Sequence, residues 1–226
     1  MRPILITRPA PVAQASLERA VSMGLDAHIA SLFIASPMPW IAPDPADYDA
    51  LFISSAQSLR LGGAGLDRLK NLPVYAVGPA TGQAAASAGF WVVRSGDSDG
   101  QTLIAEMEGA GIRSILWLCG ARHSPLSGDS ARLDILPCYQ MDDLAPPPIW
   151  NQMIQAPVII TAYSTRASQR IAALIGDARG HIALLAISEK VARAAGSGWG
   201  QVVIAAQPDD AGMLAAAALL CHNNPL

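Results

Sequence analysis

Short runs of apolar residues alternate along the chain with longer stretches rich in alanine and leucine. The short runs are apolar at consecutive positions, which is typical of strands that are covered on both faces. The longer stretches between them predict helices. The predicted strands cover residues 4–7, 51–54, 74–78, 91–93, 115–119, 158–161, 182–187 and 201–205. The predicted helices cover residues 11–23, 56–61, 80–88, 100–108, 164–174, 189–195 and 211–220.

Repeated strand–helix–strand units indicate the α/β class, with doubly wound parallel sheets. Two extended stretches, 26–36 and 132–141, are not followed directly by a helix, and proline-rich segments stand next to both. Proline disfavours the interiors of helices and strands, so we interpret these stretches as connectors. This predicts a discontinuous domain 1, residues 1–36 and 140–226, and an inserted domain 2, residues 37–139. The glycine-rich stretch 61–66 is predicted to be a loop.

Three segments of the chain match three later segments in the same order. Residues 50–60 align with 157–168, residues 74–85 with the segment around 184–195, and residues 95–103 with 206–214. The matches predict that the two domains are similar to each other and arose by duplication.

The composition excludes several classes of protein. Of the 226 residues, 51% are hydrophobic and 15% are charged, and the net charge of −3 comes without a long basic run. Such a chain buries a large core and has no nucleic-acid footprint. The three cysteines lack CxxC spacing and the four histidines lack ligand spacing, which argues against a disulfide framework or a zinc site. The apolar runs at 3–6 and 211–221 are too short for a membrane span or a signal peptide, so we expect a cytoplasmic protein with no membrane association.

Candidate binding residues lie where predicted strands lead into helices, the usual ligand edge of a doubly wound sheet. Backbone N–H groups at helix starts suit carboxylates or phosphates, although serine and threonine at these positions also act simply as helix caps. In domain 2 the candidates are Ser54, Ser55, Gly78, Pro79, Ala80 and Thr81. In domain 1 they are Arg8, Tyr163, Ser164, Ser188 and Lys190.

Familiar catalytic signatures are absent from the sequence. It contains no GxxxxGK[ST], GxGxxG or GxSxG motif, so it gives no sign of a nucleotide cofactor or a serine nucleophile. The acidic pairs 97/99, 142/143 and 209/210 are predicted to lie in turns or at helix starts. Tyr139 stands on the returning connector, where its phenol could protonate or hold a ligand oxygen or could pack the hinge.

The segments ILITRPAP, YDALFISSAQSLR, VYAVGPATGQAAASAGF, SGDSDGQTL, ILWLCGARH and CYQ follow one another in an order that resembles the uroporphyrinogen-III synthase family. The resemblance covers nearly the whole chain. It implies two α/β domains joined by two extended connectors, with the active cleft between them. It also implies a monomer without a metal or organic cofactor, in transient contact with the preceding enzyme of the pathway.

The resemblance implies an enzyme that closes hydroxymethylbilane, a linear tetrapyrrole polycarboxylate, to uroporphyrinogen III with loss of water and inversion of ring D. The tyrosine that assists departure of the hydroxyl falls on Tyr139. The binding positions fall on Ser54 and Ser55, on Gly78 to Thr81, and on the turns around Ser164 and Ser188. The turn that begins at Ser188 departs from the family pattern because it contains no threonine.

Two other classes of protein have paired α/β lobes. A two-lobed, non-catalytic small-molecule binding protein is the main alternative, although the sequence shows neither a signal peptide nor a DNA-binding segment. A nucleotide-sugar transferase is the third, but no DxD motif stands at a predicted strand end. Product analysis with hydroxymethylbilane separates these alternatives.

Overall fold

The structure is a computed structural model that describes residues 1–96 and 99–222. The chain divides into two compact units: unit 1 is Met1–Ile34 with Asp143–Leu226, and unit 2 is Ala35–Asp142. The domains predicted with limits near residues 36 and 140 remain a prediction, because a domain is also defined by its ability to fold on its own.

Strands and helices alternate in both units. The strands are β1 (Ile4–Ile6), β2 (Ala27–Ile29), β3 (Phe33–Pro37), β4 (Ala50–Ile53), β5 (Val74–Val77), β6 (Val92–Gly96), β7 (Ser114–Gly120), β8 (Arg132–Asp143), β9 (Ile159–Ala162), β10 (Ala183–Ala186) and β11 (Gln201–Ile204). The helices are α1 (Val12–Ser22), α2 (Ala56–Leu61), α3 (Pro79–Ser87), α4 (Gly100–Gly109), α5 (Pro148–Met153), α6 (Thr165–Ile175), α7 (Glu189–Ala194) and α8 (Asp210–His222).

Unit 1 contains a parallel sheet with the strand order β11-β10-β9-β1-β2. Its central strands are apolar at consecutive positions because helices cover both faces. Ile4, Leu5 and Ile6 of β1 are fully buried, as the uninterrupted apolar run predicts. One face packs against α1 and α8 through a cluster that includes Ala13, Ala20, Met213 and Leu214.

Unit 2 contains a sheet with the order β6-β5-β4-β7-β8, and β3 follows β8 at its edge. The pairs from β6 through β8 are parallel. Strand β4 contributes to a core on each side of this sheet. Leu51 and Ile53 pack on one side with Leu59 of α2, whereas Phe52 packs on the other side with Ile104 of α4.

The two units repeat one topology. In unit 2 the chain runs β4-α2-β5-α3-β6-α4-β7, and in unit 1 it runs β9-α6-β10-α7-β11-α8, with β1 next to β9 in the place that β7 holds next to β4. The α/β class and the similarity of the two halves are therefore confirmed.

The chain passes from one unit to the other between Ile34 and Ala35 and between Asp142 and Asp143, within or directly after the two extended stretches that were predicted to connect the domains. These stretches also contain β2, β3 and β8, which pair in the two sheets. Two predictions of local structure were wrong. The predicted loop at 61–66 overlaps a 3-10 helix, Gly63–Leu69. Helix α5 was missed because its prolines suggested a connector, whereas Pro148 occupies the first helical turn, where a missing N–H costs nothing.

Within residues 1–96 and 99–222, no helix is long and apolar enough to cross a lipid bilayer.

Candidate functional site

A cavity of about 290 Å³ opens in unit 2 at the carboxyl ends of the parallel strands. This is the edge at which doubly wound sheets bind ligands, because strands end there and helices begin. Two predicted binding residues, Ser54 and Ser55, and the predicted catalytic residue Tyr139 line the same cavity. The other lining residues are Val77, Asp99, Gly100, Trp117, Gly120, Arg122, His123, Ser124 and Leu126.

A β-bulge positions the tyrosine. Cys119 of β7 pairs with Pro137 of β8, but the next residue, Gly120, pairs with Tyr139, so that Cys138 is left over. Bulges of this kind re-aim side chains next to functional sites. The Cys138 thiol is buried, with its Sγ 3.6 Å from the Cys119 carbonyl oxygen, whereas the Tyr139 phenol lines the cavity. Tyr139 therefore lies on β8, the extended strand at whose end the chain returns to unit 1.

Gly120 leaves the space that the tyrosine ring occupies. A Cβ atom at this position would lie 2.8 Å from Cζ and 3.1 Å from the hydroxyl oxygen of Tyr139. Such contacts are shorter than van der Waals distance, so any larger residue would displace the ring. Because Gly120 has no side chain, the Tyr139 ring can pack directly against its backbone.

The environment of Tyr139 keeps its phenol protonated at neutral pH. Burial raises the pKa of Tyr139 above 10, and the Ser55 hydroxyl, a hydrogen-bond partner, lowers it only in part. The nearby thiols of Cys138 and Cys119 also raise this pKa. The protonated hydroxyl can donate a hydrogen bond to a ligand oxygen, and the raised pKa makes it a weaker acid than a solvent-exposed tyrosine.

The two serines of the cavity also have structural partners. Trp117 donates its indole N–H to the Ser54 hydroxyl oxygen at 2.9 Å. Ser55 is the N-cap of α2 and accepts a hydrogen bond from the Gln57 amide at 3.2 Å. The capping role that the sequence left open for Ser55 is therefore present, together with its contact to Tyr139.

The predicted turn Gly78–Thr81 forms the start of α3. Gly78 has φ +84°, a conformation that L-residues rarely adopt, and the space around its Cα is open. Pro79 occupies the first turn, and Pro79 and Ala80 are exposed. Thr81 is only 6% exposed, and its amide already donates to the Gly78 carbonyl oxygen at 3.2 Å.

In unit 1, two predicted binding residues share one internal carboxylate. Arg8 forms an ion pair with Asp210 at 2.7 Å, and the Tyr163 hydroxyl donates to the same Asp210 oxygen at 2.8 Å. The Arg8 guanidinium also stacks over the Tyr163 ring at 4.5 Å. Ser16 donates to Asp210 at 2.7 Å, and Arg19 forms a second ion pair with it.

The remaining candidates of unit 1 stand at two helix starts. Ser164 caps α6 by accepting from the Ala167 amide at 3.1 Å, and Ser188 caps α7 by accepting from the Val191 amide at 3.4 Å. Lys190 is exposed and has no ion-pair partner among the residues that the structure describes.

The acidic pairs have structural roles. Asp99 caps α4 and Asp209 accepts from the Gly212 amide at 2.7 Å, as predicted for helix starts, whereas Asp97 lies outside the described residues. The prediction was wrong for residues 142 and 143, which end strand β8. Asp143 forms ion pairs with Arg166 and with Arg170 there.

Nine of the twelve lining residues were not among the predicted site residues, and four of them bear on Tyr139 or on the charge of the cavity. Trp117 and Gly120 lie in the buried part of β7, and Arg122 and His123 come shortly after its end. The His123 ring packs edge-on against Trp117 with 4.6 Å between ring centroids. Their position after a buried strand was the available signal.

The described part of the chain contains no group of three His, Cys, Asp or Glu side chains that could hold a metal ion. Asp99 and His123 are the cavity residues of those types, and the Asp99 carboxylate already accepts from two backbone amides of α4.

A model of the family described as uroporphyrinogen-III synthase HemD matches residues 23–215. The chain belongs to the uroporphyrinogen-III synthase family. No curated protein matches its sequence.

Two solved structures of uroporphyrinogen-III synthases resemble the fold. The enzyme from Helicobacter pylori superimposes with a TM-score of 0.69 at 16% identity, over 97% of this chain and 100% of that chain. A mutant of the enzyme from the extremely thermophilic bacterium Thermus thermophilus superimposes with a TM-score of 0.53 at 13% identity, over 98% and 99%. At these identities the likeness shows the α/β fold with its parallel sheets.

Proposed function

We propose that this uroporphyrinogen-III synthase family member converts hydroxymethylbilane, a linear tetrapyrrole, to uroporphyrinogen III in tetrapyrrole (haem) biosynthesis. The reaction removes water, inverts ring D and closes the macrocycle. Beyond family membership, the observation that carries the proposal is the protonated Tyr139 phenol in a cavity at the ligand edge of unit 2.

The mechanism begins at the terminal hydroxymethyl group. Tyr139 donates its proton to the hydroxyl oxygen, the carbon–oxygen bond breaks, and water leaves together with the bonding electrons. The resulting azafulvene cation is attacked by the substituted carbon of ring D, which gives a spiro intermediate. Fragmentation and reclosure through the free carbon of ring D invert the ring, and the proton lost from that carbon restores the phenol. Every proton is accounted for, and no cofactor takes part.

The size of the cavity limits what it holds. Ligand pockets usually measure about 300–1,000 Å³, and a volume of about 290 Å³ suits one pyrrole ring with its side chains rather than four rings. We therefore place the reacting end of the substrate next to Tyr139. Oriented reacting groups gain up to about 7–11 kcal/mol in favourable intramolecular reactions, so positioning can supply most of the selectivity for inverted closure.

The carboxylates of the substrate need several donors. We assign this role in unit 2 to Ser54, Ser55 and the helix start Gly78–Thr81, because α3 begins there with exposed residues and an open glycine. In unit 1 we assign it to Tyr163, to the helix starts at Ser164 and Ser188, and to the two cations. Lys190 offers an exposed ammonium group, whereas Arg8 shares its charge with Asp210.

We further propose that the enzyme works as a cytoplasmic monomer that contacts the preceding pathway enzyme transiently. The three cysteines are free and buried, which fits a reducing compartment. Sedimentation equilibrium at micromolar concentration tests the monomer, and a dimer mass there would disprove it.

Product analysis tests the function itself. Enzymatically made hydroxymethylbilane is supplied with and without the protein, and the products are resolved after oxidation. We expect the type III isomer in excess over the type I isomer, which forms spontaneously in the control. Type I alone would disprove the proposal and would favour the non-catalytic binding protein.

A further inference from the structure

The two units differ at one step of their shared topology. In unit 1 the chain passes from β1 to β2 through α1, whereas in unit 2 it passes from β7 to β8 through residues 121–131, which the structure describes in full and which contain no helix. We name these residues the cavity segment, because Arg122, His123, Ser124 and Leu126 line the cavity that contains Tyr139. A segment without regular structure needs other contacts to stay in place.

Side chains of α4 supply those contacts. Gln101 donates to the Ser127 carbonyl at 2.7 Å and accepts from the Ser127 amide at 3.2 Å. One carboxylate oxygen of Glu108 accepts from the amides of Ser130 and Ala131, both at 2.7 Å. These hydrogen bonds fix the second half of the cavity segment, residues 127–131, against α4.

The near half is fixed next to the reactive tyrosine. The Ala121 amide donates to the Tyr139 carbonyl oxygen at 2.8 Å, so the residue before Arg122 is joined to the strand that presents the phenol. The packing of His123 against Trp117 holds the residue after Arg122. The backbone of Arg122 thus has little freedom relative to Tyr139, although its side chain is exposed.

No residue that the structure describes neutralises the charge of Arg122. Among the described residues it has no hydrogen-bond or ion-pair partner, and it is the one residue of permanent positive charge that lines the cavity. Asp99 is the acidic lining residue, but its carboxylate accepts from the Gln101 and Thr102 amides at 2.9 and 3.0 Å. The guanidinium therefore stands ready for an anion from outside the protein.

The start of α8 in unit 1 is the counterpart of the start of α4. Helix α8 begins at Asp210, whose carboxylate binds Arg8 and Tyr163. Near the start of α4 the carboxylate is that of Asp99, which accepts from backbone amides instead of pairing with a cation. The described lining of the cavity thus offers Arg122 no ion pair of the kind that Arg8 has in unit 1.

We propose that Arg122, presented by the cavity segment, binds a carboxylate of the substrate in the cavity that contains Tyr139. That the ligand is a tetrapyrrole rests on the proposed function. That Arg122 binds a carboxylate rests on its guanidinium group and its place in the cavity lining.

Steady-state kinetics with hydroxymethylbilane test the proposal on the full-length protein. We expect Arg122→Gln to raise KM about 5- to 20-fold, as for loss of a charge-assisted hydrogen bond, and to leave kcat within about threefold. Arg122→Lys should recover part of the loss because it keeps the charge. Arg68→Gln is the matched control, since Arg68 is an exposed arginine of unit 2 that does not line the cavity. A KM for Arg122→Gln within twofold of the Arg68→Gln value would overturn the proposal.

A binding measurement separates this proposal from the proposed function. If the wild-type protein yields type I product alone, the function is wrong, but Arg122 remains testable with uroporphyrin, an octacarboxylate porphyrin, titrated by fluorescence. We then expect Arg122→Gln to weaken the Kd about tenfold relative to Arg68→Gln. Equal Kd values would show that Arg122 does not bind carboxylates. Thermal melting of each variant shows whether it is folded.

Discussion

At the scale of single residues, the site depends on one side chain and on the absence of another. The bulge that leaves Cys138 in the core presents Tyr139 to the cavity, and Gly120 leaves room for its ring. Neither feature involves a strongly charged group. The phenol is protonated at neutral pH at its ordinary pKa near 10, and burial raises this pKa further, so the packing keeps the hydroxyl in its hydrogen-bond-donating form.

The first prediction concerns the phenol oxygen. Tyr139→Phe keeps the ring packed on Gly120 but removes the proton donor. We expect kcat to fall at least several-fold, and at most by the factor of roughly 10²–10⁴ that general acid catalysis contributes. The loss of one hydrogen bond should cost no more than about 1 kcal/mol of stability. Single-turnover kinetics and urea unfolding measure the two effects. Tyr48→Phe is the control, because that hydroxyl donates to Asp134 at 2.9 Å outside the cavity lining. Turnover equal to the wild type would remove Tyr139 from the mechanism.

The second prediction concerns the glycine. Gly120→Ala places a methyl group against the Tyr139 ring, so the ring must move, and overpacking of this kind costs about 1–3 kcal/mol. We expect kcat to fall more than tenfold. Gly109→Ala is the control, since a Cβ there meets nothing within 4 Å. Wild-type kcat in the Gly120 variant would show that the ring position is not critical.

The sequence allowed part of this site to be predicted. Ser54, Ser55 and Tyr139 were identified and share the cavity, because residues after apolar runs fall at the ligand edge of a parallel sheet. Gly120 was not identified, since its role depends on the ring of a residue on the neighbouring strand. Arg122 stands in the segment ILWLCGARH that carries the family resemblance and follows a buried strand, but neither feature showed that its side chain lines a cavity.

At the scale of elements, the main difference from the prediction lies in β8. Its stretch was interpreted as an extended connector because no helix follows it and prolines are near. The chain does return to unit 1 at the end of β8, but residues 132–139 also pair with β7 in the sheet, which was not predicted. The reason is that the cavity segment replaces the crossover helix. The hydrogen bonds that hold the cavity segment come from Gln101 and Glu108 of α4, which lie more than 20 residues away in the sequence. Patterns in a single sequence do not predict contacts over such a separation.

The third prediction tests the hydrogen bonds between α4 and the cavity segment. Gln101→Ala removes both hydrogen bonds to Ser127, so the cavity segment should open more often and trypsin should cleave after Arg122 about tenfold faster. Mass spectrometry of the fragments locates the cleavage. Gln14→Ala, which removes an exposed hydrogen bond to Glu18, should leave this rate unchanged. Cleavage after Arg122 at the wild-type rate would show that Gln101 does not hold the segment.

At the scale of the whole molecule, one topology serves two purposes. Unit 2 has a glycine at the start of α4 and an open cavity. Unit 1 has Asp210 at the start of α8, where it forms ion pairs with Arg8 and Arg19. The same edge of the shared topology therefore lines a cavity in unit 2 and carries internal ion pairs in unit 1.

The last prediction tests the stabilising role of Asp210, whose side chain is 13% exposed. Burial alone would raise the pKa of this carboxyl, but hydrogen bonds from Ser16 and Tyr163 and the charges of Arg8 and Arg19 outweigh burial and hold the pKa below its ordinary value. A group with a depressed folded pKa stabilises the protein fully above its unfolded pKa, and that contribution is lost as the pH falls through the folded pKa. Asp210→Asn should therefore cost about 2–3 kcal/mol at pH 7, because it leaves the Arg8 charge unpaired, and the difference from wild type should shrink below about pH 4.

Urea unfolding followed by circular dichroism at pH 7, 5 and 3.5 measures this difference. Asp67→Asn is the control, because its ion pair with Lys70 is exposed and should contribute little at any pH. A difference for Asp210→Asn that stays constant from pH 7 to pH 3.5 would mean that the ionised carboxylate is not what stabilises unit 1. The stability of unit 1 at the start of α8 would then depend on the packing of Arg8 against Tyr163, since that contact survives protonation of the carboxyl group.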